Sequence, residues 1–171
     1  NASGICDGAA AVILTSRPQA VRVAGLGSAT DTSSILDRVE LAHLAATRRA
    51  AELAYWRAGI RDPRELEGLV VEAHDAFNSL LPIDLGDLGL VDADDAIEAL
   101  VGKTRGDPAD PLAHPVTGVR GRLPTNLSGG HIESNIRRLI QRSDPIRVGR
   151  IIVIATRDPK SDVLLGLLLL K

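Results

Sequence analysis

The sequence predicts an α/β fold with a mixed sheet flanked by helices, and three observations carry that prediction. Residues 39–58 place apolar side chains, many of them Ala, at helical three-to-four spacing, with Arg and Glu between them. A glycine at position 59 ends this pattern, and residues 69–71 then form a short buried strand, which makes one helix–strand unit. Residues 147–155 and 163–170 are two apolar runs separated by a polar turn, a pattern typical of an antiparallel hairpin.

Two strands are predicted before the long helix. Residues 7–16 are small and apolar and predict a buried strand entered through a glycine turn. Residues 19–29 alternate in part and predict a second strand that ends in a turn at Gly25, Gly27 and Ser28. This glycine pair lacks the further glycine and the Lys-Ser/Thr pair of phosphate-binding loops, so a turn is the interpretation that we adopt.

The remaining segments predict short elements. In chain order they are a helix that opens after residue 74 and runs through 81–88, an acid-capped helix over 92–101, a loop over 102–115, a turn over 124–130 and a helix over 132–141.

Composition excludes several functional classes. Twenty Lys and Arg against 22 Asp and Glu leave a net charge of −2, without the basic excess of a DNA-binding protein. One Phe, one Trp and one Tyr supply too few aromatic rings for a single-strand nucleic-acid platform. The four His are scattered, so no metal site is predicted. A single Cys allows no intrachain disulfide, and Cys6 is interpreted as a buried structural thiol.

Location is predicted from the same features. No basic leader precedes the first apolar run, and the apolar run over 163–170 is far shorter than the ~20 residues of a spanning helix. With one thiol, the cytoplasm is the expected compartment, and no membrane association is expected.

Five segments, in order, resemble the C-terminal half of a thiolase, and most closely the archaeal and sterol-carrier-protein-type branch. Each is similar to a motif of that family: a strand entry, the start of the Ala-rich helix, the "E-x-H-D-A-F" loop, an "E-D-L-G" segment and a "P-V-N-P-S-G-G" turn. They are residues 1–12, 38–42, 72–77, 87–90 and 123–130.

The resemblance implies a division of the chain. Residues 1–17 would be the last strand of an N-terminal thiolase-like half, and residues 18–171 would be the C-terminal domain. The sequence contains no Met, which fits a chain that begins inside its parent protein. Since the family builds dimers from two similar halves per chain, the expected partners are a second copy or an N-terminal thiolase half.

The resemblance also implies an activity, namely acyl transfer on an acyl thioester. Coenzyme A would enter as the thioester substrate, and neither a metal nor another cofactor is expected. His74 would be the catalytic residue, because it matches the family position facing the thioester oxygen. Asn126, Ser128 and Gly129 would bind substrate. The nucleophilic Cys belongs to the N-terminal half in this family, and Cys6 does not match it.

Two departures from the family pattern support a second hypothesis. The family's catalytic His follows the Ser-Gly-Gly turn, whereas His131 comes too early and His114 comes before the turn. The turn over 157–162 holds neither the Cys nor the Gly of the family's last hairpin, so it offers no thiolate for proton transfer. The alternative is therefore a catalytically degenerate domain that dimerises or holds a partner. In that case His74 and Asp75 would only cap the following helix.

Overall fold

The protein is a small mixed α/β structure, seen in a computed structural model that describes residues 13–19, 21–101, 116–118, 121–127, 150–157 and 163–170. Within these ranges the helices and strands are, in chain order, β1 (Arg22–Thr30), α1 (Ala45–Ala58), β2 (Leu69–Glu72), α2 (Leu80–Asp87), α3 (Ala96–Val101), β3 (Arg150–Arg157) and β4 (Val163–Leu170).

The strands pair in the order β1-β3-β4-β2. β1 and β3 are parallel, with Leu26 opposite Val153, whereas β3 and β4 form the predicted antiparallel hairpin, with Ile152 opposite Leu168. β2 completes the sheet by pairing antiparallel to β4, where Val71 also lies opposite Leu168. The two apolar runs at the end of the chain therefore supply the two central strands. Parallel and antiparallel pairs together make the sheet mixed.

Helix α1 packs on β1 through backbone rather than through large side chains. Gly25 and Gly27 are buried and face the helix, and a Cβ atom on either would overlap the carbonyl oxygen of Ala54 or Ala50. Ala50 and Ala54 are themselves fully buried. The prediction that this glycine pair forms a turn after the strand is therefore wrong, because both glycines lie inside β1. Here glycine is needed for close approach of helix and strand.

The sequence predicted the C-terminal end of α1 correctly but not its start. Gly59 adopts the left-handed conformation, φ 72°, and its N–H donates to Trp56 O, which confirms the predicted glycine cap. The helix begins at Ala45 and not near residue 39. Val39 and Leu41 are exposed, so the apolar residues counted toward the helix do not face the core. The segment 38–42, interpreted as the start of the helix, precedes it.

The helix predicted after residue 74 is shorter than expected, since α2 begins at Leu80. The strand at β2 and the short helix α3, preceded by a 3-10 turn over Ala93–Asp95, are confirmed. The last part of the predicted first strand, residues 13–16, is not in a strand. Its other residues, and the loop and helix predicted over 102–115 and 132–141, lie outside the described residues.

The core lies between α1, α2 and the sheet and is aliphatic, as a chain with so few aromatic rings requires. Leu69, Val71, Leu85 and Ile152 are almost completely buried in it. Its one aromatic ring, Tyr55, reaches from α1 and donates its hydroxyl to Leu88 O at 2.8 Å, which joins α1 to the end of α2. Burial raises the pKa of the Tyr55 hydroxyl, so this hydrogen bond donor is retained.

Within the described ranges, no helix is long and apolar enough to cross a membrane.

Replacing Gly27 by Ala is expected to destabilise the protein strongly. The new methyl group would occupy the space of Ala50 O, so α1 would have to move off the sheet, at a cost of about 3 kcal/mol or more in the free energy of unfolding. Urea unfolding followed by circular dichroism measures this. Ser28→Ala is the matched control, since Ser28 is exposed, and it should change stability by less than about 0.5 kcal/mol. Equal stability of the two variants would contradict the close helix–strand contact.

Candidate functional site

Two predicted loop motifs, far apart in the chain, meet at the end of β2. Val71 N–H donates to Pro124 O at 2.9 Å, and Asn126 N–H donates to Val71 O at 2.7 Å. These bonds make a short parallel bridge between Val71 and Thr125. The segment that contains Asn126 is therefore bound alongside the strand that leads to His74.

Asn126 holds this junction with both its backbone and its side chain. Its φ of 51° lies in the left-handed region, which Asn tolerates better than most residues do. Its Oδ1 accepts from Ala73 N–H at 2.8 Å. Its Nδ2 is buried and has no hydrogen bond partner among the described residues. Since buried polar atoms normally have a hydrogen bond partner, this amide nitrogen is a donor that could bind an acceptor on a ligand.

His74 follows directly on the residue that Asn126 binds. It is half-buried between Ala73 and Asp75, which are both buried. Because α2 begins only at Leu80, His74 and Asp75 lie outside its first turn, and the N-cap residue of α2 is Ser79. The interpretation of His74 and Asp75 as helix caps is therefore wrong.

Of the four predicted site residues the structure describes His74 and Asn126, and it bonds the Asn126 side chain to the residue that precedes His74. Ser128 and Gly129 lie outside the described residues. So do Cys6, His114 and His131, which the sequence had also singled out. Among the residues that the structure does describe, no group of three His, Cys, Asp or Glu is placed to hold a metal ion.

A second polar cluster, which the sequence did not predict, surrounds the buried carboxylate of Asp87. Asp87 accepts from Leu44 N–H at 2.5 Å and from Arg48 Nε at 2.8 Å. His43 Nδ1 lies 2.9 Å from Asp87 Oδ1 and 2.5 Å from Arg48 Nη2, so carboxylate and guanidinium compete for one ring nitrogen. His43 precedes α1, although the sequence had placed it on that helix. The available signal was a pair of Asp at i and i+3 in an otherwise apolar helix.

Asp84 is the other member of that pair. It is buried, and Thr47 Oγ1 donates to it at 3.4 Å. Burial, and to a smaller extent the nearby charge of Asp87, raises the pKa of Asp84 to about 7, although the Thr47 hydrogen bond opposes the rise. Near neutral pH this carboxyl group is therefore close to half protonated.

Two cavities adjoin this cluster, and His43 lines both of them. The smaller cavity, of about 340 Å³, is lined by both positively and negatively charged side chains, among them Arg38, Arg49 and Glu40. The larger, of about 690 Å³, lies between α2 and α3 and is mainly apolar.

In comparisons with known proteins, no protein-family model matches the chain, and no curated protein matches it at a significant level. The thiolase resemblance therefore stays a prediction from its motifs.

Stability is expected to fall as pH rises from about 4 to about 7, because the folded state holds the Asp84 proton more tightly than the unfolded chain does. The unfolded pKa is near 3.8 and the folded pKa is about 7, so the loss is complete above the folded value. The effect is on the order of a few kcal/mol. Asp84→Asn should flatten this dependence and be more stable than the wild type at pH 8. Chemical unfolding at pH 5 and pH 8 checks it.

The exposed residue Glu67 provides the control for that experiment. Glu67→Gln removes one carboxylate from the surface and should keep the wild-type dependence on pH. If Asp84→Asn kept it as well, a different group would be responsible.

Asn126 variants separate its two structural contributions. Asn126→Gly keeps the left-handed backbone but leaves the Ala73 N–H without an acceptor, which should cost about 1–3 kcal/mol in unfolding free energy. Asn126→Ala should cost about 1–2 kcal/mol more, because Ala disfavours that backbone conformation. Asn126→Asp retains the accepting oxygen and should be the mildest change. Urea denaturation ranks the three, and equal stability of the Gly and Ala variants would contradict the backbone contribution.

Proposed function

We propose that this chain is the carbonyl-binding component of a thiolase-like acyltransferase that acts on an acyl-CoA thioester. His74 and Asn126 would bind the thioester oxygen, together with Ser128 and Gly129 of the same turn. The observation that carries the proposal is the bond from Ala73 N–H to Asn126 Oδ1, which fixes the Asn126 carboxamide beside His74.

The contacts at this junction support a preorganised site. Main-chain bonds hold residues 124–126 against β2, and the bond from Ala73 N–H to Oδ1 orients the carboxamide. Its Oδ1 is used by Ala73, which leaves Nδ2 as the group that can donate to a ligand. Donors held in place before the substrate arrives are what an oxyanion requires, since no reorganisation is then needed as charge develops.

The proposed division of labour follows from which groups this chain carries. An imidazole and a carboxamide can donate to a carbonyl oxygen and stabilise negative charge on it. The nucleophilic thiol that takes up the acyl group would come from an N-terminal thiolase half, either in the parent chain or in a partner. Coenzyme A is then a substrate, and the chain's own chemistry is binding and polarisation of the carbonyl.

The second candidate function is an interaction domain that lost its catalysis, and the surface of β1 favours it. β1 is at one edge of the four strands that the structure describes, and both Val23 and Leu26 are about half exposed. Such apolar side chains at an edge are suited to a second copy of the chain. Arg57, however, donates to Leu26 O and so occupies one backbone acceptor of this strand. This function predicts dimers in sedimentation, with no affinity for acyl-CoA.

Calorimetric titration with a non-hydrolysable acyl-CoA analogue tests the proposal. It is made with the chain alone and again with an N-terminal thiolase half added. Asn126→Asp should weaken binding about tenfold or more, because it replaces the free donor by a carboxylate while keeping the bond to Ala73. His74→Ala should weaken it comparably, with a nearly unchanged melting temperature.

Gln19→Glu is the matched control, since it makes the same amide-to-acid change at an exposed position. It should bind the analogue as the wild type does, which would show that added negative charge alone does not repel coenzyme A. Absence of binding both with and without the added half would overturn the proposal. So would binding that neither His74→Ala nor Asn126→Asp affects.

A further inference from the structure

The larger cavity has the dimensions and lining of a small-molecule site. Its volume of about 690 Å³ is within the range of ligand pockets, roughly 300–1,000 Å³. Its walls are the segment before α1, the helix α2 and the 3-10 turn that runs into α3. Most of the lining is aliphatic, and it includes Pro82, Ile83, Ile97, Leu100 and Val101.

The wall over α3 presents apolar surface to solvent. Ile97 and Val101 are spaced by one helical turn, and more than half of each side chain is exposed. On the opposite wall, Gly86 lets α2 approach the 3-10 turn closely, since a Cβ there would come within 3.3 Å of Ala93 Cα. The cavity is thus closed where α2 packs against the 3-10 turn and open to solvent along the apolar side chains of α3.

Three polar residues that make no side-chain hydrogen bond in the described part of the chain border this apolar space. Asn78, Ser79 and Asp94 line it, and none of their side chains has a hydrogen bond partner among the described residues. His43 lines it as well, with Nδ1 turned to Asp87, so Nε2 is the ring nitrogen left for a ligand. A ligand with an apolar body and one polar head would satisfy both parts of the lining.

The charged residues at the cavity indicate which polar head group a ligand would carry. Asp94 is the one Asp or Glu among the lining residues, and neither Lys nor Arg is among them. Arg48 is next to His43, but it is paired with Asp87 and with Glu40. The local charge therefore favours a cation over an anion.

We propose that the cavity between α2 and α3 binds a small amphiphilic amine, with its hydrocarbon body against α3 and its ammonium group near Asp94. Asn78 Oδ1 and the Ser79 hydroxyl oxygen, which are also in the lining, are further hydrogen bond acceptors for a polar group of the ligand. This site uses neither His74 nor Asn126, so it stands or falls independently of the acyl-CoA proposal.

Calorimetric titration of the full chain at pH 7.5 with octylamine, octanol and octanoate tests the head group. The three probes share one chain length and carry positive, zero and negative charge. The expected order of affinity is octylamine, octanol, octanoate. Asp94→Asn should weaken octylamine binding about two- to fivefold, as for an exposed ion pair, and should leave octanol unaffected. Asp95→Asn, one residue along and not in the lining, should bind octylamine as the wild type does.

A plugged variant tests the location. Ala42 is exposed at the edge of the cavity, so Ala42→Trp should obstruct the cavity without disturbing the core and should abolish octylamine binding. Leu41→Trp, at the exposed neighbouring position outside the lining, is the matched control and should bind normally. Thermal melting verifies that both variants are folded. Octanoate binding as tightly as octylamine, or equal octylamine affinity in the two Trp variants, would overturn the proposal.

Discussion

The direct contact between the backbone of β1 and the backbone of α1 is the constraint on which the rest of the structure depends. Gly25 and Gly27 leave no side chain between strand and helix, and Ala50 and Ala54 supply the smallest side chains on the opposite surface. A helix this close to a sheet has little freedom to tilt or slide, because any displacement brings backbone atoms into collision. The position of α1 then determines where its N-terminus lies, and so where His43, Thr47 and Arg48 meet α2.

Asp87 is the second point at which distant parts of the chain are joined. A buried carboxylate is costly unless it is hydrogen-bonded and paired, and Asp87 receives a backbone N–H from Leu44 and a guanidinium N–H from Arg48. The same bonds place the start of α1 against the end of α2. With Asp84 one turn away, the helix carries two buried acids, and this makes stability depend on pH near neutrality.

The sequence predicted those elements whose signal is local and missed those that depend on long-range contacts. The Ala-rich helix, its glycine cap, the strand at 69–71 and the terminal hairpin were all predictable, since spacing and turn chemistry alone define them. The start of α1 was predicted several residues too early, because it is set by the Asp87 side chain from another helix. The glycine pair was mistaken for a turn, since close packing and turns use the same residue for different reasons. His74 and Asn126 were identified by resemblance, but the bond of the Asn126 side chain to Ala73, the residue before His74, was not predicted.

What the sequence by itself determined is the fold class, the order of most elements and the residue types available for chemistry. Periodicity, glycine caps and apolar runs each involve only a few neighbouring residues, so the sequence alone is sufficient to identify them. Only the tertiary structure decided that β4 separates β3 from β2, that Gly25 and Gly27 face a helix, and that the Asn126 carboxamide binds next to His74. These are contacts between segments tens of residues apart. They are determined by packing and by the need of buried polar groups for hydrogen bond partners, and neither can be inferred from neighbouring residues in the sequence.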